Sequence, residues 1–358
     1  MSNKVLMKGN EVIAEAAIRA GCKCYFGYPI TPQTEVLAYM ANNIRKRGGE
    51  FVQAESELAA INMVYGAAGT GVRVMTSSSS PGISLMSEGI SYLAASELPC
   101  VIVDVVRCGP GLGGIQPAQS DYNQVTKGLG HGDFNIPVYT PDSVQELGEL
   151  VYESFDIADK YRTPVMVMID GMLGQIMEPI EFSEKNKKEN IDKSWCANGL
   201  GNRNHHNIIN SLYLNTNKLE ELNNRLQSRY KLIKENEARG KVYNYKENCD
   251  LILVAYGTTA RICKTVIDEA ELLGINLALI RPISIWPYPE NLIEDTIINT
   301  KFGYLSVEMS CGQMVYDIER IVGKRKPVNF YGRSGGVVPT PEEILGKVKE
   351  IVGGNLWK

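Results

Sequence analysis

The 358-residue sequence predicts an α/β protein made of two parallel-sheet units joined by a charged connector. Three observations carry that reading. Short β-branched runs alternate with helix-patterned stretches through the first half. A polar, Asn- and Lys-rich stretch interrupts them near residue 181, and the same alternation resumes abruptly at Asp250. Strands separated by helices lie parallel in one sheet, with helices on both faces.

Taken in order, NEVIAEAAIRAG (10–21) carries apolar residues at helical spacing, and CKCYFGY (22–28) is the first strand candidate. In the following GYPITPQTE, Pro32 suits a first helical position, which makes Thr31 the expected N-cap. FVQA (51–54) reads as a strand. ELAAINMVYGAAG (57–69) has almost no polar residue over its first three turns, so a helix buried all round is expected. VRVMT (72–76), CVIVDVV (100–106), IPVYT (136–140) and PVMVMID (164–170) are further strands, with a long helix at 143–161 before the last. These make a first domain, 1–180.

From 181 to 249 the chain reads as a surface excursion, with one exposed amphipathic helix in NKLEELNNRLQSRYKLIKENEARG. The second domain, 250–358, has strands in LILVAYG (251–257), INLALIR (275–281), GYLSVEM (303–309) and PVNFYG (327–332).

Composition narrows the function classes. Hydrophobic residues make up 44% and charged residues 22%, an ordinary globular balance. The net charge of −4 comes without a Lys/Arg-rich block, so no nucleic-acid surface is expected. The apolar runs are too short for a membrane span, and MSNKVLMKGNEV lacks the apolar centre of a signal peptide; a cytoplasmic protein is expected. Eight cysteines are scattered without any Cys-x-x-Cys, and only Cys22 and Cys24 are close, sharing a face if both lie on a strand. They read as small buried hydrophobes rather than as cluster ligands.

Candidate chemistry gathers where strands hand over to helices. GPGLGG (109–114) fits a dinucleotide fingerprint, but IQPAQSD after it is a poor helix opening, so a loop is expected there. Thr31 lies at a helix N-terminus on the carboxyl edge of a parallel strand, where ligands of open α/β sheets bind. Its hydroxyl serves equally well as a cap or as a ligand contact. Glu57 opens the apolar helix, and a carboxylate entering such a sheath needs a partner that uses it; Glu55 reads as its solvated neighbour. Arg107 ends a strand on the same rim, where its guanidinium fork can grip a carboxylate or pair with Asp104. Tyr28 and Ser80, the latter in TSSSSPG, are weaker candidates. None of the three histidines has metal-site spacing, and no metal is expected in this chain.

Taken together, YPITP, then QAESELAAINMVYGA, then a strand ending in Arg107 resemble the alpha-type subunit of the thiamine-diphosphate-dependent 2-oxoacid:ferredoxin oxidoreductases. The resemblance spans nearly the whole chain. SSSSPGISLMSEGISYLAASELP and DLILVAYGTTAR match that family's style, and GGIQPAQSDYNQ with KGLGHGDF are most like its branched-chain, 3-methyl-2-oxobutanoate type. The resemblance implies a thiamine-diphosphate-binding fold: a pyrimidine-binding domain, followed by a transketolase C-terminal-like domain.

It also implies roles. Glu57 matches the glutamate that bonds the ring nitrogen of the cofactor's aminopyrimidine, favouring the tautomer that takes the thiazolium proton. Thr31 and Arg107 match the residues that hold the 2-oxoacid. No GDG-type turn for a diphosphate and Mg2+ is present in the sequence. A beta-type subunit is therefore expected to supply that half of the site. Gamma and ferredoxin-like subunits would carry iron–sulfur clusters, with coenzyme A as acyl acceptor and ferredoxin as electron acceptor. The implied activity, in anaerobic metabolism and only within a heteromeric complex, is oxidative decarboxylation of 3-methyl-2-oxobutanoate. The alternatives are 2-oxoglutarate or pyruvate as substrate, a transketolase- or dehydrogenase-type component, or a non-catalytic assembly subunit. A second basic residue would favour 2-oxoglutarate, and Lys127 is the candidate.

Overall fold

The computed structural model describes residues 4–182 and 191–353. In chain order its strands are β1 (Val5–Lys8), β2 (Cys24–Gly27), β3 (Glu50–Gln53), β4 (Val74–Ser78), β5 (Cys100–Val106), β6 (Val138–Tyr139), β7 (Pro164–Asp170), β8 (Met177–Ile180), β9 (Gly240–Tyr243), β10 (Leu251–Val254), β11 (Leu277–Pro282), β12 (Ser284–Trp286), β13 (Tyr304–Glu308) and β14 (Val328–Gly332). The helices are α1 (Gly9–Arg19), α2 (Thr34–Asn43), α3 (Glu57–Gly69), α4 (Ser80–Ala95), α5 (Tyr122–Lys127), α6 (Val144–Tyr161), α7 (Gly171–Gln175), α8 (Thr216–Glu237), α9 (Gly257–Leu272), α10 (Glu290–Glu294), α11 (Val315–Val322) and α12 (Pro341–Gly353).

The first sheet runs β12-β6-β7-β5-β4-β2-β3 and is parallel except where β12 meets β6. β5 and β7 pair from Cys100 opposite Pro164 to Val106 opposite Asp170. Both are buried throughout because helices cover both faces, which is why their sequences are continuous apolar runs rather than alternating ones. Helices α1, α2 and α6 press Val12, Met40, Leu147 and Phe155 onto Val101 and Val103. On the opposite face α3 and α4 bury Ile61, Val64, Ile83 and Ile90 against Ile102 and Met166.

That second layer continues into the other half of the chain through Ile252, Val254, Ile280 and Tyr304. The second sheet runs β14-β13-β10-β11-β9, with β9 antiparallel on its edge. Helices α9 and α12 cover its far face, where Cys263, Val266, Ile344 and Val348 meet Leu253 and Leu305.

Several sequence expectations are refined. The connector does carry the expected amphipathic helix, α8, docked by Leu222, Leu226, Tyr230 and Ile233. It also supplies β9, which the sequence did not disclose. The start of the polar stretch, 183–190, lies outside the described residues. Helix α3 is not buried all round: Leu58 and Met63 are 48% and 37% exposed, because α4 and the sheet cover only one side of it. Cys22 and Cys24 do not share a strand face, since β2 begins at Cys24. Among the described residues no helix is long and apolar enough to cross a membrane.

Candidate active site

The carboxyl ends of β2, β3, β4 and β5 form one rim, and every candidate residue follows one of them. This is the edge at which backbone N–H groups of succeeding helices face a ligand.

Thr31 is not the N-cap the sequence suggested. Helix α2 begins at Thr34, with Gln33 in the capping position. The cause lies in the Pro32 carbonyl, which accepts from Asn10 Nδ2 at 2.8 Å and Gln175 Nε2 at 3.2 Å. The Val36 N–H bonds the Gln33 carbonyl instead. A buried chain then fixes the turn: Tyr25 Oη lies 2.7 Å from Ser77 Oγ, which donates to Gln33 Oε1 at 2.6 Å. Thr31 is left exposed on the rim, and its hydroxyl has no partner among the described residues.

Arg107 follows β5 and is 7% exposed. It does not pair with Asp104. Its Nη1 donates to the Thr31 carbonyl at 3.0 Å and its Nη2 to the Leu112 carbonyl at 3.1 Å. Nε is buried with no partner among the described residues. The GPGLGG segment is thus a loop, as expected, and it closes over this guanidinium. Ser80, the first residue of α4, sits with Oγ 3.1 Å from both the N and the O of Arg107, tying the end of β5 to the start of that helix.

Glu57 is the first residue of α3, and Ser56 before it caps the helix by accepting the Ala59 N–H at 3.1 Å. The Glu57 side chain is therefore free of capping duty. It is buried, and among the described residues nothing donates to its carboxyl. It lies against Gly82 of α4, where a Cβ would come within 2.6 Å of Glu57 Oε1 and 1.9 Å of Ser78 Oγ. That glycine keeps the acid's niche open. A buried acceptor without a protein donor is what a ring-nitrogen ligand would satisfy.

The remaining candidates sort themselves. Tyr28 is 36% exposed at the end of the β2 turn, and its carbonyl accepts from Gln33. Glu55 is exposed, as its reading as a solvated neighbour required. Lys127 is bound to Asp317 at 2.7 Å and lies over the Tyr122 ring, so it is not a free cation of the rim. His131 meets Ser91 and Tyr92 at the α4 surface, and His205 and His206 are exposed. Sequence reasoning missed Gln33, Ser77 and Gly82. Ser77 and Gly82 left a trace, as members of the TSSSSPG turn from which only Ser80 was singled out. Beside Thr31, an open trough of about 500 Å³ is bounded by Pro32, Pro117, Met172, Ile176 and Val338.

Comparison with known families decides what this arrangement belongs to. Residues 15–246 match the family model described as pyruvate flavodoxin/ferredoxin oxidoreductase, thiamine diphosphate-binding, and residues 249–344 match pyruvate:ferredoxin oxidoreductase core domain II. The chain belongs to the 2-oxoacid:ferredoxin oxidoreductases. Among members of this oxidoreductase family, the ketoisovalerate oxidoreductase subunit VorB of Methanothermobacter thermautotrophicus is 47% identical over 97% of this chain and 98% of its own length. The 2-oxoglutarate:ferredoxin oxidoreductase of Magnetococcus marinus, solved with 2-oxoglutarate, coenzyme A and succinyl-CoA bound, superposes with a TM-score of 0.88 at 26% identity. The match covers 98% of this chain and 66% of that longer one. A split-gene transketolase, covered over 98% with 97% of this chain, shares the fold at a TM-score of 0.62 and 14% identity. A buried acid with no donor among the described residues, as at Glu57, fits the ring nitrogen of the family's thiamine diphosphate.

Proposed function

We propose that this chain activates the cofactor and grips the substrate in a branched-chain 2-oxoacid:ferredoxin oxidoreductase. The reaction it serves converts 3-methyl-2-oxobutanoate and coenzyme A to an acyl-CoA and carbon dioxide, with the electrons passed to ferredoxin. The observation that carries the reading is the pairing, on one rim, of a buried carboxylate without a protein donor at Glu57 and a buried guanidinium with a free Nε at Arg107.

Bound thiamine diphosphate supplies the electron sink for decarboxylation. The chain's residues do the rest. Glu57 accepts from, or shares a proton with, the aminopyrimidine ring nitrogen. Arg107 presents N–H groups to the oxoacid carboxylate, and the Thr31 hydroxyl orients the same substrate from across the turn. Ser80 and Tyr28 are supporting members of the rim. A beta-type subunit is proposed to hold the diphosphate and Mg2+, with iron–sulfur clusters in further gamma and ferredoxin-like subunits. The scattered free cysteines fit a reducing, cytoplasmic compartment.

A branched aliphatic substrate is favoured over 2-oxoglutarate by charge. Among the described residues no Lys or Arg lines the trough beside Thr31, and Lys127 is committed to Asp317. The purified complex should reduce ferredoxin or a viologen dye with 3-methyl-2-oxobutanoate and coenzyme A, more efficiently than with 2-oxoglutarate or pyruvate. Preference for either of those would overturn the substrate assignment, and inactivity with all three would overturn the enzymatic one.

A further inference from the structure

The Arg107 guanidinium is not open to a ligand as it stands. A carboxylate is gripped best by two parallel N–H groups of one guanidinium. Here Nη1 donates to the Thr31 carbonyl at 3.0 Å and Nη2 to the Leu112 carbonyl at 3.1 Å. Nε, which has no partner among the described residues, is closed off from solvent. A buried donor without an acceptor calls for an explanation.

The segment that supplies the Leu112 carbonyl is firm at its base and loose at its tip. Arg107 bridges Pro117, the Cys108 N–H bonds the Gln116 carbonyl at 3.0 Å, and the Gly114 N–H bonds the Cys108 carbonyl at 3.0 Å. Between these ties, residues 109–113 make one hydrogen bond among the described residues, the one from Arg107. A Cβ added at Gly109 or Gly111 would meet nothing within 4 Å, and the Leu112 side chain is 84% exposed. Gly111 and Gly113 hold φ of +70° and +60°, a backbone that glycine enters and leaves without strain.

We propose that the 109–113 tip is a gate opened by the substrate's carboxylate. The Leu112 carbonyl holds the place of a carboxylate oxygen on Arg107, and the oxoacid displaces it to bind. The exchange favours the ligand, because an ionised carboxylate replaces a neutral carbonyl on the cation and gives Nε an acceptor as well. A neutral ketone has no such advantage, so the gate answers to the charged end of the substrate. Only molecules with the gate open bind, and the observed affinity is reduced by that fraction. Loosening the closed turn should therefore tighten binding, the opposite of what damage to a binding pocket does.

The gate rests on the proposed use of Arg107 for the oxoacid, and its test reads the loop itself as well as turnover. In the assembled complex, hydrogen exchange of peptides spanning 108–116 should quicken several-fold with 3-methylbutanoate, an unreactive carboxylate of the same chain. It should stay unchanged with 3-methyl-2-butanone, which lacks the carboxylate. Arg107→Ala breaks the latch, so the same peptides should exchange fast without any ligand. No response to the carboxylate, an equal response to the ketone, or native-like slow exchange in Arg107→Ala overturns the gate. Gly113→Ala places a methyl 1.9 Å from the Cys108 carbonyl, which the closed turn cannot hold. Its KM for the oxoacid should fall on the order of 10-fold, the weight of one bond to a charged group. An unchanged or raised KM overturns the gate; if that variant does not assemble, the exchange measurements decide alone. A complex inactive on every oxoacid whose loop still opens to the carboxylate would overturn the functional reading and leave the gate standing.

Discussion

The Arg107 guanidinium donates to the Thr31 carbonyl at 3.0 Å, so the residue proposed to grip substrate also clamps the turn that carries its partner. Lysine cannot reproduce this, because one ammonium cannot span both the Thr31 and Leu112 carbonyls while presenting N–H groups to a ligand. Arg107→Lys and Arg107→Ala should each raise KM for the oxoacid, with a loss of about 1.5–3 kcal/mol per charge-assisted bond. Steady-state kinetics with varied oxoacid checks this; an unchanged KM would make Arg107 purely structural.

Glu57 and Gly82 form a lock that can be opened from either side. Glu57→Gln keeps the shape but not the acid, and turnover should drop about 10²–10⁴-fold with assembly intact. Gly82→Ala places a methyl 2.6 Å from Glu57 Oε1 and should inactivate by displacing it. Its overpacking cost is about 1–3 kcal/mol. Turnover measured beside thermal unfolding separates the two effects, and an active Gly82→Ala enzyme would mean that Glu57 has room elsewhere.

The two halves are riveted by Arg281. This fully buried side chain reaches from β11 to Glu146 on α6, with Nη2 donating to Oε1 at 2.6 Å and Nη1 to Oε2 at 2.5 Å. Asp142 approaches Nη1 to 2.7 Å as well. Removing Glu146 takes away two charge-assisted bonds and leaves Asp142 as the remaining acid on the buried guanidinium, so Glu146→Ala should destabilise by about 1.5–3 kcal/mol. The denaturant midpoint reads this directly, and a midpoint unchanged from the native protein would refute it.

Helix α8 is held at Glu97 by Arg225 and Arg229. Burial pushes the Glu97 carboxyl up, but bonds from the two arginines outweigh it and bring it down to about 2. A carboxyl below its ordinary value stabilises fully above that value and loses the contribution as pH falls. Docking of α8 should therefore weaken between pH 4.5 and about 2. Trp286, edge-on to Tyr230 of α8 at 5.7 Å, reports it by fluorescence. Glu97→Gln should abolish that acid transition; its persistence would point to other carboxyls.

What the sequence disclosed follows from range. β5 and β7 were legible to the residue because strands covered on both faces are continuous apolar runs. α3 was legible in its bounds but not in its exposure, since the uncovered side holds the apolar Leu58 and Met63 around a single polar residue, Asn62. The rim residues Thr31, Glu57 and Arg107 could be named from strand ends and motif order. The turn at Gln33 could not, because it is set by Asn10, Ser77 and Gln175, distant in the chain. β9 was equally hidden, as four residues on a sheet edge carry no periodic signal of their own.

Strand β12 closes the first sheet although it comes from far along the chain, with Ser284 opposite Tyr139 and Trp286 opposite Val138. Cutting the polypeptide within the connector would therefore strip the two-residue β6 of its outer neighbour. The amino-terminal fragment would then present a raw, self-adhesive margin, prone to pile up copy on copy. Protease nicking or gene fission near residue 245 would yield pieces that keep working only if they stay together.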